Sequence, residues 1–256
     1  MAEVVAKVRE EVKEKEWPTA VLRPLVYYPE SDGEPMAETD THRKQMVYLI
    51  EALDDYFRDD PQVYVAGNLF LYYEEGDIRQ VVAPDVFVVK GVSKGDRRTY
   101  LLWEEENKGP QVVFEVTSRR TRKEDLGPKK GTYEMLRVRE YFLFDPLGEY
   151  LEPRLVGYRL EEGGYRQTAG ERLVSEVLGL ELRVEEGRLW LYDLETGEKL
   201  LSPLEAQAAR REAEARAEAA ETRAEQEATA RREAEEELAR LRAKMARRRD
   251  SGETEL

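Results

Sequence analysis

The 256 residues contain no cysteine, which removes disulfides, thiolate zinc sites and cysteine nucleophiles together. No run approaches the ~18 apolar residues of a membrane span, so none is expected. The opening segment MAEVVAKVREEVKEKE is charged throughout and lacks an apolar secretory core, which makes the cytoplasm the expected compartment. Positive charge is also in short supply. The chain has 41 Lys and Arg against 55 Asp and Glu, a formal net charge of −14, which argues against tight nucleic-acid binding over the whole surface. Residues 203–250 carry 12 charges of each sign, so the acidic excess falls almost entirely in 1–202. Any contact with a polyanion has to be local, at RRTRK (119–123) and Lys129–Lys130, with metal ions offsetting repulsion.

What is present is enough for a real core, with 41% hydrophobic residues, beside a 38% charged content that points to a long solvated helix. Residues 1–36 form an N-terminal segment in which Val5, Val8 and Val12 suggest a short, weak helix. From Thr39 or Asp40, the apolar positions Met46, Leu49, Ile50, Leu53 and Phe57 recur at three- and four-residue spacing and predict an amphipathic helix. His42 falls on its inward face. QVYVAGNLFLYY (62–73), PDVFVV (84–89), VVFEV (112–116) and EYFLFDP (140–146) read as strands, making 37–150 the core. Gly127–Pro128 looks like a helix start, with Tyr133 and Leu136 following Lys129 on its inward face and Lys130 turned to solvent. Alternation and glycine turns over 151–202 predict a small β-rich extension of the same domain.

Beyond Pro203, glycine and proline vanish until the tail. Alanines at 206, 209, 213, 217, 220, 224 and 228 lead into Ala234, Leu238, Leu241 and Met245 as an apolar seam, which predicts a coiled-coil helix over 203–250 and a homo-oligomer. Glu212–Arg216, Glu227–Arg231 and Glu236–Arg240 have the favourable i,i+4 orientation. Residues 251–256 are expected to be a disordered tail.

Two carboxylates break the apolar pattern: Asp85 opens PDVFVV and Glu115 interrupts VVFEV. Burying an unpaired carboxylate costs several kcal/mol, so both positions call for a cation, with a divalent metal the simplest. Bland readings stand beside this one. Asp85 after Pro84 can cap a strand, the face bearing Val113, Glu115 and Thr117 can be solvated, Lys129 can be a snorkelling helix lysine, and His42 can be a satisfied buried histidine.

The succession PDVFVV, VVFEVTS, TRKEDLGPKKGTY and VREYFLFDP resembles the Uma-type restriction endonuclease family of the PD-(D/E)xK nucleases, and EPMAETDTHR and VYVAGNLFLYYEEG fit it too. The resemblance implies a restriction-endonuclease-like α/β fold, a mixed sheet flanked by helices, and metal-dependent hydrolysis of DNA phosphodiesters. It matches Asp85 and Glu115 to the two acids, 30 residues apart. Thr117 occupies the place of the usual lysine, and Lys129 matches the lysine moved to the next helix. Asp85 and Glu115, with the Val116 carbonyl, would then ligate Mg²⁺ or Mn²⁺, Lys129 would orient water or stabilise the transition state, and Glu38 and His42 would border the site. The alternative is a weak or inactive nuclease fold serving as a nucleic-acid-binding or coiled-coil scaffold, favoured by the acidic body and by Thr117.

Overall fold

The computed structural model describes residues 26–31, 33 and 39–250, with side chains to 247. The helix expected near Val5–Val12, Glu38 and the 251–256 tail lie outside the described residues. Helix α1 (Asp40–Tyr56) is capped by Thr39, whose side chain accepts a hydrogen bond from the His42 N–H at 3.2 Å. Its buried stripe of Met46, Leu49, Ala52 and Leu53 follows the predicted periodicity.

A six-stranded mixed sheet forms the centre. Its members are β1 (Val63–Ala66), β4 (Val86–Lys90), β6 (Val112–Val116), β7 (Glu140–Phe144), β8 (Leu155–Glu161) and β9 (Gly164–Ala169), in that spatial order. Only the β6–β7 pairing is parallel. The intervening short strands β2 (Leu71–Tyr72), β3 (Val81–Val82) and β5 (Tyr100–Leu101) make a separate small sheet.

Both faces of the sheet's middle are covered, which is why β4 and β6 read as nearly continuous apolar runs instead of alternating. Val86, Val88, Val112, Phe114 and Phe142 pack with α1. Phe87, Val89, Val113, Tyr141 and Leu143 pack on the other side with Tyr133. Tyr133 belongs to α2, a continuous helix of α turns at Arg122–Glu124 and Lys130–Met135 around a wider π segment, Asp125–Lys129. The expected start at Gly127–Pro128 is therefore wrong: the helix begins a turn and a half earlier. Pro128 lacks an N–H and would break a regular α-helix, and the wider π segment accommodates it in the helix interior.

Strands β8 and β9 lengthen the main sheet. Strands β10 (Arg172–Ser175), β11 (Leu180–Glu185) and β12 (Arg188–Asp193) form a second antiparallel sheet, whose Leu180, Leu182, Leu189 and Leu191 join the α1 core. Polar side chains of α1 complete its edge. Gln45 donates to the Leu189 carbonyl at 2.8 Å and accepts from its N–H at 3.1 Å, while Tyr48 accepts from Leu191 N–H at 3.0 Å and donates to the Leu200 carbonyl at 2.9 Å. These bonds meet the requirement that buried polar groups be paired.

Helix α3 (Pro203–Asp250, 48 residues) is about 72 Å long at ~1.5 Å per residue. Ser202 and Glu205 form a capping box: the Ser202 N–H donates to Glu205 at 2.9 Å and the Glu205 N–H to Ser202 Oγ at 3.3 Å. Glu212 and Arg216 pair as expected at 3.2 Å, but Arg231 pairs forward with Glu235 at 3.0 Å instead of back with Glu227. The seam residues Leu238, Leu241 and Met245 are exposed. No helix among the described residues is long and apolar enough to cross a membrane.

Candidate active site

The site grows from a strand register. Strands β4 and β6 pair antiparallel with Val88 opposite Val112 and Val86 opposite Phe114, so the next step along the two chains brings Asp85 opposite Glu115. Directly opposed side chains share a face with Cβ atoms about 4.5–5.5 Å apart, and like charges there repel. The ladder gives way at this step. Asp85 Oδ2 accepts the Val116 N–H at 2.7 Å, so the bland reading of Asp85 as a strand cap holds, and this bond sets its carboxylate beside the end of β6. Gly67 keeps the adjoining chain close: a Cβ there would lie 2.3 Å from the Asp85 carbonyl oxygen and 2.5 Å from Ile50.

Glu115 is buried, 1% exposed, so the reading of its face as solvated fails. Val113 and Thr117, its neighbours on that face, are buried as well, because α2 lies across it. Lys129 Nζ donates to Glu115 Oε2 at 2.9 Å, and the Tyr133 hydroxyl donates to Oε1 at 2.5 Å. Lys129 also reaches the Ala83 carbonyl at 3.4 Å and lies 3.5 Å from Asp125 Oδ1. His42 Nε2, from the first turn of α1, is 3.4 Å from Asp85 Oδ2. Lys130 points away from the acids, as its helical position requires, but it lies over the Tyr158 ring at 4.5 Å instead of standing in solvent.

The sequence reading missed Asp125 and gave Tyr133 no role beyond the core. Asp125, Lys129 and Tyr133 recur every four residues, a spacing that shares one helix face; placing the helix start at Pro128 hid the first of them. Asp125 is buried, and its Oδ2 accepts from Thr117 Oγ1 at 2.6 Å, while Thr117 also contacts the Tyr150 hydroxyl. The threonine in the usual lysine place thus supplies no cation; it fixes a third acid beside Lys129.

Burial pushes the Glu115 carboxyl well above the ordinary carboxylate range; Asp85 and Asp125 add to the rise, against the pull of Lys129 and the Tyr133 hydroxyl. Burial works the other way on Lys129, yet the surrounding Glu115, Asp85 and Asp125 hold its ammonium above the usual lysine value. One lysine faces three acids. The acids favour the charged lysine, while burial and the neighbouring acids disfavour ionised Glu115, an excess of acid that a divalent cation would relieve.

The donor set fits a hard cation of the Mg²⁺ type. Such ions bind through one or two carboxylates, waters and substrate phosphates instead of a full protein cage. Among the described residues no group of three or more His, Asp or Glu side chains is placed to hold a metal ion, so the protein's share of such a site is limited to the two opposed carboxylates. Each carboxylate offers about four lone-pair positions, so the bonds from Lys129 and Tyr133 leave Glu115 with acceptor capacity.

A mixed sheet with a helix packed on each face is the architecture expected of the restriction-endonuclease-like class. The chain belongs to the Uma2 family, described as "Putative restriction endonuclease", whose model matches residues 16–213. One solved structure similar to it is that of a "putative nuclease belonging to DUF820" from Anabaena variabilis, with 13% identity and a TM-score of 0.41 over 58% of this chain and 81% of that one. Comparison with curated proteins gave no match.

Proposed function

We propose that the chain is a metal-dependent DNA endonuclease that hydrolyses phosphodiester bonds at the Asp85–Glu115–Lys129 cluster. The observation that carries the reading is the buried Glu115 held by Lys129 on a strand whose register sets it opposite Asp85. Asp85 and Glu115, with the Val116 carbonyl beside them, would hold Mg²⁺ or Mn²⁺. When bound, that ion supplies charge neutralisation at the phosphate and a more acidic water. Lys129 keeps its charge at the same point and stabilises negative charge developing on the phosphoryl oxygens. Tyr133 fixes the Glu115 carboxyl, so the acid is positioned before substrate arrives. Burial by α2 excludes bulk water and strengthens these interactions.

The test is cleavage of duplex, single-stranded and branched DNA with Mg²⁺ or Mn²⁺, alongside calorimetric metal binding. Wild type should cleave, and Asp85→Ala and Glu115→Ala should each abolish both metal binding and cleavage. Unchanged binding in both variants would remove the metal site. Wild-type inactivity across all substrates would leave the scaffold reading.

The finer reading includes assembly. Helix α3 exposes its apolar seam, and its charges cancel over 203–250, which favours a second copy of the same helix as partner. Because alanine buries little area, the expected species is a weak dimer, seen as concentration-dependent light scattering and lost in a chain ending at Ser202. Equal subunit numbers for the two chains would remove α3 as the assembly element.

A further inference from the structure

Next to the acid cluster lies a concentration of opposite charge that the proposed chemistry leaves unused. Arg119, Arg120, Arg122 and Lys123 line one surface depression together with Glu149. The acid in that wall does little to neutralise them: Arg119 Nε is 3.7 Å from Glu149, and both side chains are well exposed, a geometry that contributes little. Four cations within five residues stand out on a chain of net charge −14.

The segment that carries them is braced by the Ser118 and Thr121 hydroxyls and by one backbone bond. The Ser118 N–H donates to Thr121 Oγ1 at 3.1 Å, the Thr121 N–H returns to Ser118 Oγ at 3.3 Å, and the Arg122 N–H donates to the Ser118 carbonyl at 2.9 Å. It is also tied to the site. The turn follows β6 directly, Arg122 lies over the Tyr150 ring at 5.9 Å, and Tyr150 contacts Thr117, which binds Asp125. Arg122 and Lys129 are seven residues apart on one helix, about 10 Å at ~1.5 Å per residue. That distance covers about three nucleotides at ~3.4 Å per strand step.

We propose that Arg119, Arg120, Arg122 and Lys123 seat the phosphates of a DNA strand a few nucleotides from the bond held at Glu115 and Lys129. The placement relative to the scissile bond rests on the nuclease reading, whereas the phosphate seat itself needs only binding. Local cations beside an acidic centre reconcile an acidic protein with a polyanionic substrate: the backbone is held where the protein is positive, and the reacting phosphate is presented to the acids.

The experiment measures binding of a labelled duplex by fluorescence anisotropy at 50–200 mM salt, using the full chain in a Glu115→Gln background. The seat variant carries Arg119→Gln, Arg120→Gln, Arg122→Gln and Lys123→Gln. A control carries Arg210→Gln, Arg211→Gln, Arg216→Gln and Arg223→Gln on α3, an equal change in net charge. The seat variant should lose at least ~10-fold in affinity at the lowest salt, and its slope of log K against log salt should shrink by about 0.9 for each phosphate contact removed. The control should bind like its parent. An unchanged slope in the seat variant, equal loss in the control, absence of binding by the parent, or displacement by inorganic phosphate at matched phosphate concentration would each overturn the seat. Cleavage assays with Glu115 restored separate the two readings. A seat variant that binds and cleaves like wild type removes the seat and leaves the nuclease; wild type that binds through the seat but never cleaves does the reverse.

Discussion

Glu115 and Glu140 are both buried in the two central parallel strands, one toward the end of β6 and the other at the start of β7, yet their surroundings differ in kind. Glu140 receives the Ser175 hydroxyl, the Glu176 N–H at 2.9 Å and the Arg159 guanidinium at 3.5 Å. Every oxygen is met by a donor that serves the fold, joining β7 to the turn after β10. Glu115 receives a lysine and a tyrosine but also faces Asp85 and Asp125. Depth of burial therefore does not separate the two acids. An acid excess left standing at one end of the sheet does, because stability alone would favour removing it, and the proposed role of Glu115 rests on that excess.

The comparison breaks most sharply on activity. Lys129→Ala should lower DNA cleavage by at least ~10²-fold, the scale for losing one preorganised electrostatic group. Lys130→Ala should stay within a few-fold, because Lys130 lies over Tyr158 and away from the acids, and Glu140→Gln should leave the specific activity of its folded fraction intact. Equal losses at Lys129 and Lys130 in turnover assays would contradict the assignment of faces on α2.

On stability the order reverses. Glu140→Ala should cost about 2–3 kcal/mol in denaturant unfolding, since it strands Ser175, the Glu176 N–H and Arg159. Asp85→Asn in metal-free protein should raise the melting temperature by relieving repulsion at Glu115, although it weakens the cap on Val116. A lowered melting temperature would show that capping outweighs repulsion there.

Much of this was legible in the sequence where apolar patterning and strand order act locally. Asp85 and Glu115 stood out because charged residues open or interrupt apolar runs, whereas Lys129 was singled out through the family resemblance; the structure brings all three into one cluster with His42 at its edge. Asp125 did not, because Pro128 reads as a helix start and only the π segment carries the helix back past it. Glu140 was equally hidden: its partners Ser175 and Glu176 lie 35 and 36 residues away, a distance no periodicity reaches. The burial of the Glu115 face depended on α2 crossing it, a tertiary fact that alternation along β6 leaves open.

pH should distinguish the acid-rich cluster from ordinary sites. Because the Glu115 carboxyl is raised in the fold, the native state holds more protons than the unfolded chain above the ordinary carboxylate range. Metal-free stability should therefore fall as pH rises from about 4.5 through the raised value. Glu115→Gln should flatten that decline in urea unfolding measured across pH, and saturating Mg²⁺ should oppose it by binding the ionised acids. A wild-type profile rising through the same window would place the retained proton elsewhere.

The smallest effect comes from a second lysine–glutamate pair, which sharpens the comparison because its acid shifts the opposite way. Lys199 Nζ lies 2.6 Å from Glu205, closer than the 2.9 Å between Lys129 and Glu115. Burial is the largest single influence on the Glu205 carboxyl and raises it, but Lys199 and the Ser202 N–H and hydroxyl together outweigh it and bring the value down to about 2. Glu205 is more than a third exposed, and the causes acting on it include no second acid, so one lysine and a helix cap suffice. Its contribution is fully present above about 4.5 and is lost as pH falls through about 2. Solvent screening keeps the ion pair itself small, so the expected loss in Glu205→Ala is that of a capping box, about 1 kcal/mol, read as fraying at the start of α3 by amide hydrogen exchange. Fraying in wild type should grow gradually as pH falls below about 4.5 and be complete only near the low value. If it is already complete near pH 4.5, Lys199 and Ser202 do not hold the carboxylate, and the contrast between the two lysine pairs fails.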